Sequence, residues 1–268
     1  MKLFNKNNNK NLNLVPTFSD NWNFYFQLTS GDFHYSVRYD MEVQKLSESQ
    51  KQKFPHRLQL NIPFLNPTEN GLPDTDIEFP RLNGIEDQFA CETAEIRCVA
   101  RVAGGNVARY FFYFNGFNTH AEQKKLVANL VGNLKKNAYS YDIKHNDYFD
   151  DFEKKVVPNA FEWQRMLNRD LCMQLENSGE TFKEPRDIDF LLIGKSDAHF
   201  DHISEKLENA KFRTVRREKM EEETYHLELV LNNIPTVENM NILTDTLVTL
   251  LNGTDVYFDG WGCPVSTT

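Results

Sequence analysis

The sequence predicts an α+β protein of two domains, and three observations lead there. The first half carries short apolar stretches with a period of two, separated by turn residues. The second half shows a long amphipathic stretch followed by strand, helix, strand, strand, helix, strand patterning. The 268 residues, 40% of them hydrophobic and including 21 Phe, are enough for two cores without disulfides or metals.

Residues 1–16 form an Asn-rich leader, running from Asn5 to Asn13 and broken only by Lys6, Lys10 and Leu12, and are expected to stay outside the fold. An N-terminal α+β domain is predicted over 17–145. Trp22, Phe24, Phe26 and Leu28 alternate with their neighbours, Thr29-Ser30-Gly31-Asp32 supplies turn chemistry, and Phe33, Tyr35, Val37 and Tyr39 resume the period, which predicts a hairpin. Arg57 to Phe64 is a third strand, ended by Pro63 and Pro67. Gly71-Leu72-Pro73 opens a loop before a short helix carrying Leu82, Ile85 and Phe89. Glu95 to Val102 and Val107 to Phe114, joined through Gly104-Gly105-Asn106, predict a second hairpin. Thr119-His120-Ala121-Glu122 is a capping box that opens a helix to about Leu134, and Tyr139, Tyr141 and Ile143 mark a last strand. The result is a mainly antiparallel sheet with two helices.

Residues 146–157, rich in Asp147, Asp150, Asp151, Glu153, Lys154 and Lys155, read as a linker, with Pro158 as the first residue of the next helix. That helix is expected to bury Trp163, Leu167, Leu171 and Leu175 and to stop at Gly179. A strand from Pro185 to Ile193 follows. Ser196 caps a helix with Phe200, Ile203 and Leu207 inward. Phe212 to Arg216 and Tyr225 to Leu231 are middle strands. Thr236 opens a helix with Met240, Leu243, Leu247 and Leu250 inward, Gly253 stops it, and Val256 to Phe258 is the last strand. A leading helix and then βαββαβ is the ferredoxin-like plan over 158–268, an antiparallel sheet with both helices on one face.

Charge is unevenly spread. Residues 1–150 carry 17 basic and 17 acidic side chains, whereas 151–268 carry 13 and 22, so the formal net charge of −9 lies in the second part. An acidic domain repels a phosphate backbone, which argues against direct nucleic-acid binding and favours a basic protein surface as partner; solubility alone is the plainer explanation of the same charge. Cys91, Cys98, Cys172 and Cys263 form no Cys-x-x-Cys pair and follow no secretory leader. Free thiols in a reducing cytoplasm are expected, and no apolar run is long enough to span a membrane.

Candidate chemistry is sparse. Ser196-Asp197-Ala198-His199-Phe200-Asp201-His202 resembles the His-x-His-x-Asp-His metal motif of metallo-β-lactamase-type hydrolases, with Asp197 in place of the first His; such ligands hold zinc and activate its water. The further ligands of that fold are missing, and with Phe200, Ile203 and Leu207 inward, His199 and His202 fall on a solvated helix face. Gly104-Gly105 lacks the strand-helix setting of a phosphate loop. Asp187 and Asp189 share one strand face, which an exposed sheet surface explains, and Cys263 has no His near it in sequence. Arg213, Arg216, Arg217 and Lys219 with Glu218 and Glu221 to Glu223 read as a charged hairpin turn.

The chain closes on Tyr257-Phe258-Asp259-Gly260-Trp261-Gly262, and this ending, with Gly179, Asp189 and the βαββαβ order, resembles the family of regulators of ribonuclease E activity, type B (RraB-like), over about the last 110 residues. The resemblance implies a protein that inhibits an endoribonuclease by binding its noncatalytic scaffold, with no chemistry of its own. Trp22-Asn23-Phe24-Tyr25, Gly71-Leu72-Pro73, Glu86-Asp87 and Arg101 resemble a domain of unknown function found fused to the same regulators. The expectation is therefore a cytoplasmic, non-enzymatic, protein-binding regulator of RNA degradation without cofactor, bound metal, nucleic acid or membrane. The candidate partner-binding residues are Asp201, Glu205, Glu208, Glu221, Glu222, Glu223, Asp259 and Trp261. The alternatives are a small-ligand binder using a cleft between the domains and a metal-dependent hydrolase through Asp197, His199, Asp201 and His202. Trp261 itself has two readings, a plug at the end of the sheet or an aromatic anchor in an interface.

Overall fold

The computed structural model describes residues 21–28, 34–90, 96–115, 119–132, 134, 139–146, 149–220 and 224–266. The Asn-rich leader, the Thr29 to Asp32 turn, Cys91 and Glu221 to Glu223 lie outside the described residues. The chain divides into two compact units, Met1–Val157 and Pro158–Thr268.

Unit 1 is built on strands β1 (Trp22–Leu28), β2 (His34–Asp40), β3 (His56–Pro63), β4 (Ile96–Gly104), β5 (Val107–Phe114) and β6 (Ser140–His145). They form one sheet in the order β1-β2-β4-β5-β3-β6, and neighbouring strands are antiparallel. Its helices are α1 (Glu48–Lys51), α2 (Glu78–Ala90), α3 (His120–Val131) and α4 (Asp150–Lys155), with a 3-10 turn at Met41–Lys45. Strand alternation puts Leu58, Leu60 and Ile62 into a core with Leu82, Ile85 and Phe89 of α2 and with Leu126, Val127 and Leu130 of α3. The Thr119 capping box forms as its sequence predicts. β4 is buried along its whole length, so its apolar residues do not alternate with exposed ones, and Arg97 and Arg101 within it are buried in ion pairs with Asp40 and Glu86.

The β4-β5 hairpin turns on Gly105 and Asn106, both left-handed at φ 62° and 65°, a pairing that suits the twist of a two-residue hairpin loop. Gly104 ends β4 against β2, where an added Cβ would lie 2.8 Å from the His34 carbonyl oxygen and 2.5 Å from Tyr35 Cδ1. Gly104→Ala must therefore push two strands apart. A loss of about 1–3 kcal/mol is expected, read as a lower urea midpoint for unit 1; an unchanged midpoint would show that β2 gives way freely there.

Residues 146–157, expected as a linker, fold into unit 1 instead. α4 packs there, and Phe149, Phe152 and Val156 are fully buried. Phe149 stacks on Tyr113 at 3.8 Å between ring centroids, and Phe152 lies against Tyr39. Of the charged residues that suggest a linker, Asp150, Glu153, Lys154 and Lys155 form the outer face of this helix, while Asp151 reaches the buried Arg57 at 2.7 Å. Three apolar positions among acidic and basic neighbours are too few for periodicity to reveal. Short helices at 41–51 escape a sequence reading for the same reason.

Unit 2 comprises α5 (Ala160–Asn177), β7 (Arg186–Gly194), α6 (Asp197–Asn209), β8 (Arg213–Lys219), β9 (Tyr225–Asn233), α7 (Val237–Leu251) and β10 (Val256–Gly262). The antiparallel sheet runs β10-β7-β9-β8, the fourth, first, third and second strands of the βαββαβ order, which is the ferredoxin-like arrangement. Ile188, Phe190, Leu192, Leu227 and Leu229 form its core with Phe200, Ile203 and Leu207 of α6 and Met240 and Leu247 of α7. α5 starts at Ala160 behind an Asn159 capping box, two residues after Pro158, and ends at a left-handed Gly179. Its buried stripe differs from the expected one: Leu167 is 43% exposed, while Gln164, Met166, Asn168 and Cys172 face inward. Two amides at i and i+4 hide this stripe from a hydrophobic reading. Ser196 occupies the N-cap of α6, yet its side chain makes no capping hydrogen bond.

Candidate functional site

The face of the unit 2 sheet turned away from its core is where the closing Asp259-Gly260-Trp261-Gly262 segment shapes a surface. Along β7, Ile188, Phe190 and Leu192 are buried, so Asp187, Asp189 and Leu191 take the opposite face. Glu228 of β9, between buried Leu227 and Leu229, joins them. β10 carries a bulge at Asp259: Phe258 pairs with Leu192 and Gly260 with Leu191. Gly260 holds φ 151°, a conformation that L side chains rarely adopt. Neither Gly260 nor Gly262 covers its strand neighbour, and a groove of about 580 Å³ opens there, lined by Asp189, Leu191, Val215, Glu228, Asp259 and the glycine backbone. The groove has an apolar floor and three carboxylates from three strands. Among the described residues the side chains of Asp189, Glu228 and Asp259 make no ion pair or hydrogen bond. The neighbouring Asp187 differs, since it accepts from Asn232 at 3.0 Å and lies 3.7 Å from Arg213.

Trp261 turns the other way, in register with Phe190, and packs against the core. Its indole N–H donates to Asn168 Oδ1 at 2.9 Å. Asn168 is fully buried and spends its whole amide: Oδ1 also accepts from Gln164 at 3.0 Å, and Nδ2 donates to Asn241 at 2.9 Å and Thr244 at 2.8 Å. These contacts give Trp261 a structural role, anchoring β10 to α5 and α7. A second tie comes from Glu180. Its buried carboxylate binds both terminal nitrogens of Arg186 and accepts from the backbone N–H of Phe182 at 2.6 Å and of Ser266 at 2.8 Å. Neither Asn168 nor Glu180 carries a sequence signal that marks it, apart from a mid-helix amide and an acid just after Gly179.

The described candidates for partner binding fall in two places, Asp259 and Trp261 at the groove and the others on α6. Asp259 lies in the groove. Asp201, Glu205 and Glu208 stand exposed on α6, in the helical layer. Asp201 is also held by Arg217 at 2.8 Å, and Arg217 pairs with Asp197 too, which partly neutralises that acidic face. The same contacts occupy two members of the metal-like motif; His199 Nε2 instead lies 3.6 Å from Asp255, and His202 is exposed. Among the described residues no three His, Cys, Asp or Glu side chains converge as metal ligands do. Burial pushes the thiol pKa up at Cys98 and Cys263, and at Cys172 to about 11, so these cysteines stay protonated near neutral pH. No described helix is long and apolar enough to cross a membrane.

A six-stranded antiparallel unit followed by a ferredoxin-like unit, with an acidic groove on the open sheet of the latter, defines the class. Residues 20–153 match the model of a family of unknown function (DUF695) across half of the sequence, and the chain belongs to that family. Residues 165–263 match the model of the family Regulator of ribonuclease activity B, so the chain joins the two in one polypeptide. No curated protein matches it. Among solved structures it is similar to a protein assigned as a glycine cleavage system transcriptional repressor, at 7% identity over 78% of this chain and 98% of that one, with a TM-score of 0.23. It is also similar to an unknown protein from Galdieria sulphuraria, at 8% identity over 76% and 95% of the two chains, with a TM-score of 0.22. Likeness of this size carries no argument about fold or function.

Proposed function

We propose that the chain is a non-enzymatic regulator of ribonuclease activity that binds a basic segment of an endoribonuclease of the RNA-degradation machinery through the groove of unit 2. The observation that carries this reading is the match of residues 165–263 to the Regulator of ribonuclease activity B family. The groove supports it, because its wall is made by the Asp259 to Gly262 turn. Asp189, Glu228 and Asp259 suit a Lys or Arg side chain, and Leu191 and Val215 suit an apolar neighbour of that residue. Exposed carboxylates steer encounter and lose influence beyond about 8 Å at physiological ionic strength. The α6 cluster is the weaker dock, since Asp201 is already paired.

The test is capture of the scaffold region of endoribonuclease E by the full chain at low and high salt, with association and dissociation measured separately. Asp189→Lys with Glu228→Lys is expected to slow association more than it speeds dissociation, and Glu205→Lys with Glu208→Lys to have a smaller effect. Labelled RNA is expected to bind poorly in a filter assay, for want of a basic stripe. Tight RNA binding, or a protein interaction indifferent to salt and to groove reversal, would refute the proposal.

A further inference from the structure

Unit 1 holds a second cleft, independent of the groove and built from four elements. Register places Phe24 opposite Arg38, Phe26 opposite Ser36 and Arg38 opposite Arg101, so these residues of β1, β2 and β4 share one sheet face. Further along the same face α2 covers the sheet, with Phe89 edge-on to Tyr110 and Phe112. Toward β1 and β2 that cover stops. A space of about 580 Å³ remains between the flank of α2 and the sheet, within the usual range of small-molecule sites. Its aromatic walls are Phe24, Phe26 and Phe79, the first two 40% and 53% exposed, unusual for large apolar side chains on adjacent outward positions of one strand.

The inner end of the cleft is charged. Arg101 and Glu86 are both more than nine-tenths buried and 3.0 Å apart; Arg101 also donates to Asn83 at 3.0 Å and lies 5.6 Å from the centre of the Phe79 ring. Arg38 pairs with the same Glu86 carboxylate and lies 4.9 Å from the Trp22 ring. Two guanidinium groups thus share the one buried carboxylate of the cleft. Burial raises the pKa of Glu86, against the opposing pull of Arg101 and Arg38. Asp87 also lines the cleft, at its exposed rim. A cation held in a low-dielectric cleft draws an anion, and guanidinium is suited to carboxylate and phosphate oxygens alike. Arg38 has the more accessible side chain of the two arginines.

We propose that this cleft binds a small aromatic anion, its ring against Phe24, Phe26 and Phe79 and its carboxylate or phosphate on Arg38. The test uses the folded full chain with phenyl phosphate, benzoate, phenol and inorganic phosphate as probes, followed by saturation-transfer NMR and titration calorimetry. Phenyl phosphate and benzoate are expected to bind, and the better of the two identifies the anionic group. Phenol and inorganic phosphate, each lacking one half of the recognition, should bind about tenfold more weakly or worse. Arg38→Gln should abolish the preference for the anions over phenol. Phe26→Ala, at a half-exposed position, should weaken every ring-bearing probe several-fold and so tests the site even if the Arg38 variant unfolds. Absence of binding by both aromatic anions, equal binding of phenol, or affinities unmoved by Phe26→Ala or by a folded Arg38→Gln would each overturn the proposal.

Discussion

Asn168→Ala is expected to destabilise unit 2 by about 3 kcal/mol, because four partners each lose a bond, Gln164 and Thr244 of them buried, and an unsatisfied buried polar group costs about 1–3 kcal/mol. The amide is saturated by Gln164, Trp261, Asn241 and Thr244, and Thr244 is itself fully buried. No water-sized detour replaces a hub that two helices and a strand share, and a buried network that is only partly satisfied is worse than none. Urea unfolding followed by circular dichroism measures the loss, and fluorescence reports the freed Trp261. The groove should suffer as well, since β10 is tied to α5 through this one amide. A midpoint within experimental error of the parent would mean that the network is incidental to stability.

Glu180→Gln is expected to cost about 3 kcal/mol, the range found when a buried ion pair loses one member. The carboxylate accepts from Arg186, Phe182 and Ser266, so every contact it makes is with a donor. A glutamine must turn its NH₂ toward one of them and leave Arg186 uncompensated. Arg186 also donates to the Pro264 carbonyl at 2.9 Å, so the segment after β10 loosens with it. The same contacts, hydrogen bonding from Arg186 foremost, hold the Glu180 pKa at about 2 against an ordinary 4.5. A depressed folded-state pKa contributes stability that is present above pH 4.5 and lost as pH falls toward 2. Acid unfolding of the parent over that window should be steeper than that of Glu180→Gln. Equal acid sensitivity of the two would show that another carboxylate governs the transition.

The legible parts of the fold are those with local causes. The β4-β5 hairpin follows from its Gly-Asn turn, α3 from its capping box, and the strand and helix order of unit 2 from apolar spacing. Where polar residues replace apolar ones in a buried stripe, as Gln164 and Asn168 do on α5, the same spacing points to the wrong face and brings Leu167 inward. The segment 146–157 fails for the opposite reason: Phe149, Phe152 and Val156 are buried, but charged neighbours dominate the local pattern. The candidate site was legible in the closing Asp259 to Gly262 turn and in Asp189, read as part of an exposed strand face, but Glu228 carried no signal. Asp201, Glu205 and Glu208 were credible as a sequence cluster, yet nothing along the chain reveals that Arg217 returns on β8 to bind Asp201.

The sequence by itself determined the class: two α+β units, the βαββαβ order of the second, and the closing Asp-Gly-Trp-Gly signature of the ribonuclease regulators. Each of these is written in neighbours a few residues apart, where periodicity, caps and turn residues act. Only the tertiary structure decided which side chains meet. Asp189, Glu228 and Asp259 converge because sheet order sets β7 between β10 and β9, and Phe24, Arg38, Glu86 and Arg101 converge because α2 covers only part of its sheet. Strand order, register and the reach of a covering helix depend on contacts between distant residues, which no local pattern in the chain encodes.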